Sequence, residues 1–233
     1  RNVLVEHCDV AGNDDCLCLK AGRDADGLRV DRPTENVVYR HCTIGEGGGL
    51  VTIGSETSGG IRNVEAYDIQ GKGTNTGVRF KSAKVRGGVV ENVRFHDLDM
   101  DGVRTVFEWN LDWHPDYSYP TIPEEIPESD YEPHWETLTT PVEPPERGIP
   151  EFRDIAVEDV TARNTEQDAF FVNGYAESPI HDVALENVDI EASSAGSIAH
   201  ARDWEMTDVV VRTGDGTPIE TTDCANVDRP NIE

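Results

Sequence analysis

Four segments of the chain open alike. RNVLVEHCDV (residues 1–10), ENVVYRHCTI (35–44), RNVEAYDIQ (62–70) and ENVRFHDLDM (91–100) each carry an Asn-Val pair followed by alternating apolar residues. FRDIAVEDVTA (152–162), IHDVALENVDI (180–190) and WEMTDVVVRT (204–213) continue the pattern with Asp in the place of Asn. The steps from Asn2 to Asn36, Asn63 and Asn92 are 34, 27 and 29 residues, and those from Asp154 to Asp182 to Asp208 are 28 and 26. A second short alternating run follows each first one by about 13 residues: CLCLK, LVTIG, GVRFK, VFEWN, AFFVN and SIAHA. Period-2 strands recurring at this spacing, with Gly, Asp and Asn turns between them, predict an all-β chain wound as a right-handed parallel β-helix, one coil per repeat. A β-sandwich would instead need hairpin turns every 8 to 12 residues and no long-period self-similarity.

Stacking the coils fixes which residues share a face. The short runs place Leu17, Val51, Val78 and Phe107 in one inward column, and Leu19, Ile53, Phe80 and Trp109 in another. The residues between them point outward: Cys18, Thr52, Arg79 and Glu108 in one ladder, Lys20, Gly54, Lys81 and Asn110 in the next. Coils are ~4.8 Å apart, so Arg79 and Lys81 fall about 10 Å from the coil that carries Asp14 and Asp15. Two acids, two cations and Lys20 are thereby predicted on one outward face.

The chain reads as one domain in three stretches: coils at 1–110 that carry this face, a proline-rich insertion at 111–150, and further coils at 151–233. The insertion holds nine prolines, and Trp109, Trp113, His114, Tyr117, Tyr119 and Trp135 in and beside it are candidate platforms for sugar rings. It is expected to lean over the outward face, with a mobile insertion as the alternative. The chain starts at Arg1 rather than Met, which reads as an excerpt of a longer polypeptide.

Composition narrows the partners. A net charge of −26, from 46 acids against 20 Lys and Arg, opposes binding to nucleic acid or to an anionic membrane surface. No apolar run approaches the length of a membrane span. With only four lysines and acids spread evenly, the chain resembles proteins of salt-loving microbes. The five cysteines show no metal-ligand spacing, so no metal or other cofactor is expected, and Cys8 and Cys42 are expected to stack as thiols on neighbouring coils.

At Gly12-Asn13-Asp14-Asp15, Gly47-Gly48-Gly49 with Gly54-Ser55, and Arg79-Phe80-Lys81, the chain resembles the family 28 glycoside hydrolases, the polygalacturonase family of pectin-degrading β-helix enzymes. FEWN, HPDY and GYAESPI are similar to the bacterial and archaeal branch. The resemblance implies inverting hydrolysis of galacturonosyl linkages in pectic polysaccharide, with Asp14 as general acid and Asp15 helping to hold the attacking water. It implies that Arg79 and Lys81 receive the uronate carboxylate; Lys20, Gly48 and Glu108 are further candidates for substrate binding, with Glu56 and Glu108 projecting near the same face. Two neighbouring carboxylates disfavour joint ionisation, so one of the pair is expected to stay protonated nearer neutral pH. Two departures accompany the likeness. The family's first aspartate falls before residue 1, and its histidine falls on Gly48. A rhamnogalacturonan-type or other uronide hydrolase and a carbohydrate-binding β-helix without catalysis remain as alternatives; a calcium-dependent lyase shares the architecture, but Arg79 and Lys81 with Asp14 and Asp15 follow the hydrolase motifs. An extracellular, monomeric protein is expected.

Overall fold

The computed structural model describes residues 1–214 and 216–233. Each coil supplies one strand to each of two ladders. Val3–Glu6, Thr34–Ile44, Ile61–Lys72 and Val89–Asp101 stack as the long-strand ladder, and Leu17–Leu19, Val51–Ile53, Thr76–Lys81 and Thr105–Asn110 as the short-strand ladder. Glu151–Asn173 bends across both, pairing with Val89–Asp101 through its first half and with Thr105–Asn110 through residues 170–173. The pairings between these strands are parallel, which makes the chain the predicted parallel β-helix.

Register explains why the repeat is visible. Val3, Val37, Val64, Val93, Ile155, Val183 and Trp204 are in-register partners along the long-strand ladder. The predicted inward columns of the short ladder are also in register and buried, with Phe80 stacked on Trp109 at a centroid distance of 4.7 Å. The interior is therefore a stack of apolar layers in which every coil covers the next. Trp109 belongs to that stack and is fully buried, so it is not a platform for sugar.

The recurring Asn and Asp mark a left-handed corner. Asn2, Asn36, Asn63 and Asn92 have φ of 58°, 58°, 55° and 51°, which Asn and Asp tolerate better than other side chains. Their amides bond from coil to coil: Asn36 Nδ2 donates to Asn2 Oδ1 at 3.0 Å, Asn63 Nδ2 to Asn36 Oδ1 at 2.9 Å, and Asn92 Nδ2 to Asn63 Oδ1 at 2.7 Å. The register corrects one alignment. His181 pairs with Arg202 and Val183 with Trp204, so Asp182 is followed by Asp203, not Asp208. Asp208 lies instead in a second positive-φ corner with Asp159 and Asn187, five residues further along each long strand. Two corners with the same residue preference made the repeat ambiguous by that step. His7 and His41 occupy the second corner in the first coils and stack at 5.0 Å. Cys8 and Cys42 lie side by side as free thiols, as expected.

Two parts of the chain depart from an all-strand reading. Asp24–Val30 is a helix, tied to the solenoid by the buried Asp24 and Arg86 ion pair. Gly27 allows the approach, since a Cβ there would stand 2.7 Å from Gly22 and from Ser58. Between Asn110 and Glu151 there is no strand, and Pro115–Ser118 and Pro133–Thr139 are helical. That segment is moored at its start, where Leu111 N–H donates to Asn173 O at 2.9 Å and Trp113 N–H to Ser82 O at 3.0 Å.

Candidate active site

Asp14 and Asp15 lie in the turn that feeds Leu17–Leu19, at the edge of the outward face. Asp15 N–H donates to Asp14 Oδ1 at 2.8 Å, which directs the two carboxyls differently. The Asp14 residue is exposed, whereas the Asp15 side chain is only 6% exposed. Three groups converge on Asp15: Lys81 Nζ at 2.6 Å, Thr52 Oγ1 at 3.0 Å and Arg79 Nη1 at 3.3 Å. Burial alone would push the Asp15 carboxyl up, but Lys81, Thr52 and Arg79 outweigh it and hold it below the usual aspartate range. Of the two carboxyls, Asp15 is the one that stays ionised, because cations face it.

Reach, not backbone spacing, makes this contact. Arg79 and Lys81 stand two coils from Asp15, yet both side chains are long enough to cross Val51–Ile53 and meet it. Their outward positions are not solvated either. Thr52 is fully buried and the Lys81 side chain 9% exposed, because Trp113 lies over the ladder, 4.3 Å from the Arg79 guanidinium and 5.1 Å from Lys81 Nζ to the ring centroid. Arg79 also pairs with Glu108 at 3.2 Å. Its fork is committed within the protein instead of pointing at a free uronate site.

A cavity of about 450 Å³ opens in front of the acids, lined by Asp14, Asp15, Cys18, Lys20, Ser55, Glu56, Lys81, Trp113, His114 and Tyr117. Of the residues expected at the site, Asp14, Asp15, Lys20 and Lys81 line it. Arg79 and Glu108 line a neighbouring hollow. Gly48 lies under the acids, where its N–H donates to Asp14 O at 2.9 Å and an added Cβ would stand 3.1 Å from Asp14 C and Asp15 N. A histidine at this position would press on the peptide it is meant to assist. The cavity nonetheless holds a histidine, His114, delivered from the insertion.

The far wall is a second ion pair. Lys20 Nζ meets Glu56 Oε2 at 2.6 Å and Gly54 O at 3.0 Å, and Tyr117 OH donates to Glu56 Oε1 at 3.1 Å. Burial works against ionisation of Glu56, but Lys20 and Tyr117 prevail and take its pKa down to about 2. The same carboxylate holds the Lys20 pKa above its ordinary value, against the effect of burial. The Cys18 thiol, 3.8 Å from Asp15 Oδ2, is pushed up to about 11 chiefly by burial, and stays protonated. Cys18 and Ser55 join the residues expected at the site: the alternation of CLCLK turns Cys18 outward, and Ser55 belongs to the Gly54-Ser55 motif. Among the platform candidates, Trp113, His114 and Tyr117 reach the cavity, while Trp135 lines a separate apolar hollow and Tyr119 OH accepts from Lys84 N–H at 3.2 Å.

The known proteins that this chain is similar to are polygalacturonases. Residues 1–110 match the model of Glycosyl hydrolases family 28. The chain is 26% identical over 230 residues to a probable polygalacturonase of Vitis vinifera, covering 97% of this chain and 40% of that protein. It is 27% identical over 216 residues to an endo-polygalacturonase of Pectobacterium carotovorum subsp. carotovorum, covering 91% of this chain and 41% of the relative. Among solved structures, the family 28 exopolygalacturonase of Yersinia enterocolitica superposes with a TM-score of 0.72 at 22% identity, over 99% of this chain and 37% of that one. A hyperthermoactive exopolygalacturonase of Thermotoga maritima gives 0.61 at 21% identity, over 94% of this chain and 41% of that one. The chain therefore spans about 40% of the length of the curated relatives it matches over most of its own length.

Proposed function

We propose that this chain carries the catalytic face of a glycoside hydrolase that cleaves galacturonosyl linkages of pectic polysaccharide with inversion. The observation that carries the reading is the unequal environment of the acid pair. Asp15, ionised by Lys81, Thr52 and Arg79, cannot serve as proton donor and is suited to hold a water by accepting its hydrogen bond. Asp14, open to the cavity, is then the group that protonates the glycosidic oxygen as the bond to the anomeric carbon breaks, while the water held at Asp15 bonds to that carbon from the opposite face and gives its proton to the Asp15 carboxylate. Lys20, half exposed in the cavity wall, supplies positive charge for a uronate, while Lys81 lines the cavity as the partner of Asp15, and Trp113 and Tyr117 offer ring faces to the sugar. In this reading Gly48 and Glu108 act from beneath and beside the substrate, Glu108 through Arg79.

The test is incubation with polygalacturonate in molar salt, following reducing ends and the absorbance of unsaturated product. Reducing ends without unsaturation support hydrolysis, and unsaturated product would identify a lyase. Asp14→Asn is expected to lower turnover at least about a hundredfold, the scale of losing a general acid. Unchanged turnover would remove Asp14 from the role. Gly48 in place of the family histidine favours a second reading, a β-helix that binds polyuronide without cleaving it, and binding with no turnover by the unsubstituted protein would establish it. A rhamnogalacturonan-type substrate is separated by assaying both polymers.

The same reading extends to setting. A polymer substrate too large to cross a membrane supports an extracellular setting, and a cavity lined by one chain is compatible with a monomer. The charge of −26 with four lysines points to a salt-rich habitat, where screening relieves the repulsion of 46 acids. A melting temperature that does not rise between 0.1 M and 2 M salt would contradict that assignment.

A further inference from the structure

Beyond Arg79 the outward ladder does not end. Arg79 is in register with Glu108, and Glu108 with Phe171, so Phe171 stands on the same face two coils past Arg79, about 10 Å along the solenoid. Between them lies a hollow of about 380 Å³, separated from the Asp14 cavity by Arg79 and walled on that side by Arg79 and Glu108. Its remaining lining includes Arg104, Gln167, Asp168, Asn75 and Phe171, a residue 38% exposed.

The chemistry of this hollow is unlike its surroundings. In a chain where acids outnumber Lys and Arg by 46 to 20, Arg104 is exposed and has no carboxylate within 4.0 Å among the described residues. Glu108 is already occupied, accepting from Thr76 Oγ1 at 2.7 Å and pairing with Arg79 at 3.2 Å. Asp168 lines the hollow but does not reach Arg104. An uncommitted guanidinium, two side-chain amides and an open aromatic face are the groups that receive a carboxylate, hydroxyls and the C–H face of a sugar acid.

We propose that this second hollow is an accessory uronate subsite. A polyuronide engaged at the Asp14 and Asp15 cavity runs past Arg79 toward the later coils, where Arg104 takes the carboxylate of a further sugar and Phe171 the face of its ring. This rests on the galacturonan reading above and adds the direction in which the polymer lies. It also gives Arg79 a structural place, as the internally paired wall between the two hollows.

The test compares digalacturonate and octagalacturonate by calorimetry in the Asp14→Asn background at 0.1 M salt. The ratio of octamer to dimer affinity is the readout. Arg104→Gln is expected to lower that ratio at least about tenfold, the scale of one charge-assisted contact. Phe171→Ala lowers it in the same direction, and Asp168→Asn raises it by removing a like charge from the path. A ratio unchanged by Arg104→Gln and Phe171→Ala, or an equal loss for both oligomers, would overturn the subsite. An octamer bound no better than the dimer before either substitution would overturn it as well. Failure to bind either oligomer would overturn the galacturonan reading, and the subsite with it.

Discussion

Replacing Lys81 with methionine removes one charge from beneath Trp113 while keeping most of the side-chain volume. The consequence is set by what remains around Asp15, whose side chain is 6% exposed. With Lys81 gone, Thr52 Oγ1 at 3.0 Å and Arg79 Nη1 at 3.3 Å still face the carboxylate, so the charge is weakened in its support but not orphaned. Losing every partner of a buried charge costs about 3–5 kcal/mol, and losing one charge-assisted hydrogen bond about 1.5–3 kcal/mol. The expected cost is therefore about 2–3 kcal/mol at pH 7, or a melting temperature lower by about 4–12 °C for a domain of this size. The sign with pH follows from linkage. Asp15 has a depressed folded pKa, so its pairing stabilises fully above the unfolded value near 3.9 and fades as pH falls through the lower folded value. In Lys81→Met, burial is opposed only by Thr52 and Arg79, so the carboxyl rises and protonates earlier. The gap between the two proteins, measured by urea denaturation, should be widest at pH 7 and shrink toward pH 3. An equal gap at both pH values would show that Lys81 acts through packing alone and would refute the account of Asp15 as an ion held by cations.

Three further outcomes follow from contacts already described. Asn63→Ala should cost about 2 kcal/mol, since it cuts two ladder hydrogen bonds and leaves a Cβ at φ 55°, while Asn63→Gly, free of that penalty, should cost about 1 kcal/mol less in the same denaturation assay. Equal losses would show that the corner's backbone carries no penalty for alanine. Trp113→Ala opens the ladder to water, so the destabilisation caused by Lys81→Met should shrink by about half in that background, which a double-mutant cycle reads directly. Glu56→Gln removes the partner of a half-exposed lysine and should cost about 0.5–1 kcal/mol at pH 7. Because Glu56 titrates at about 2, that difference should persist through pH 5 and close as the pH approaches 2; a difference that vanished by pH 4 would contradict its pairing with Lys20 and Tyr117.

The solenoid was legible because its physics is periodic. A buried column needs an apolar residue at the same place in each coil, and a left-handed corner needs Asn or Asp, so Val37, Val64 and Val93 announce themselves beside Asn36, Asn63 and Asn92. Where two corners share that preference the periodicity becomes degenerate, and Asp208 was assigned to the corner that Asp203 occupies. The helix Asp24–Val30 left no comparable trace. Seven residues are too few to show a 3.6-residue pattern, and its anchor is Arg86, a residue 62 positions away.

The site was legible only as far as alternation reaches. Alternation says that Arg79 and Lys81 point outward with Cys18 and Thr52, and the register confirms it. It does not say what an outward side chain meets. A lysine and an aspartate reaching toward each other can bridge two coil spacings, so whether Lys81 waits for substrate or pairs with Asp15 depends on side-chain length, on the depth of Asp15, and on the cover that Trp113 brings from the insertion. None of these has a period. The distinction between Asp14 and Asp15 arises the same way. The two residues are equivalent in the sequence GNDD, and become chemically different only when one is enclosed by cations from later coils and the other is left facing the cavity. A carboxylate pair in a solenoid thus acquires its chemical asymmetry from coils that come later in the chain, which is why substitutions at Lys81 and Trp113 probe Asp15 more sharply than changes beside it.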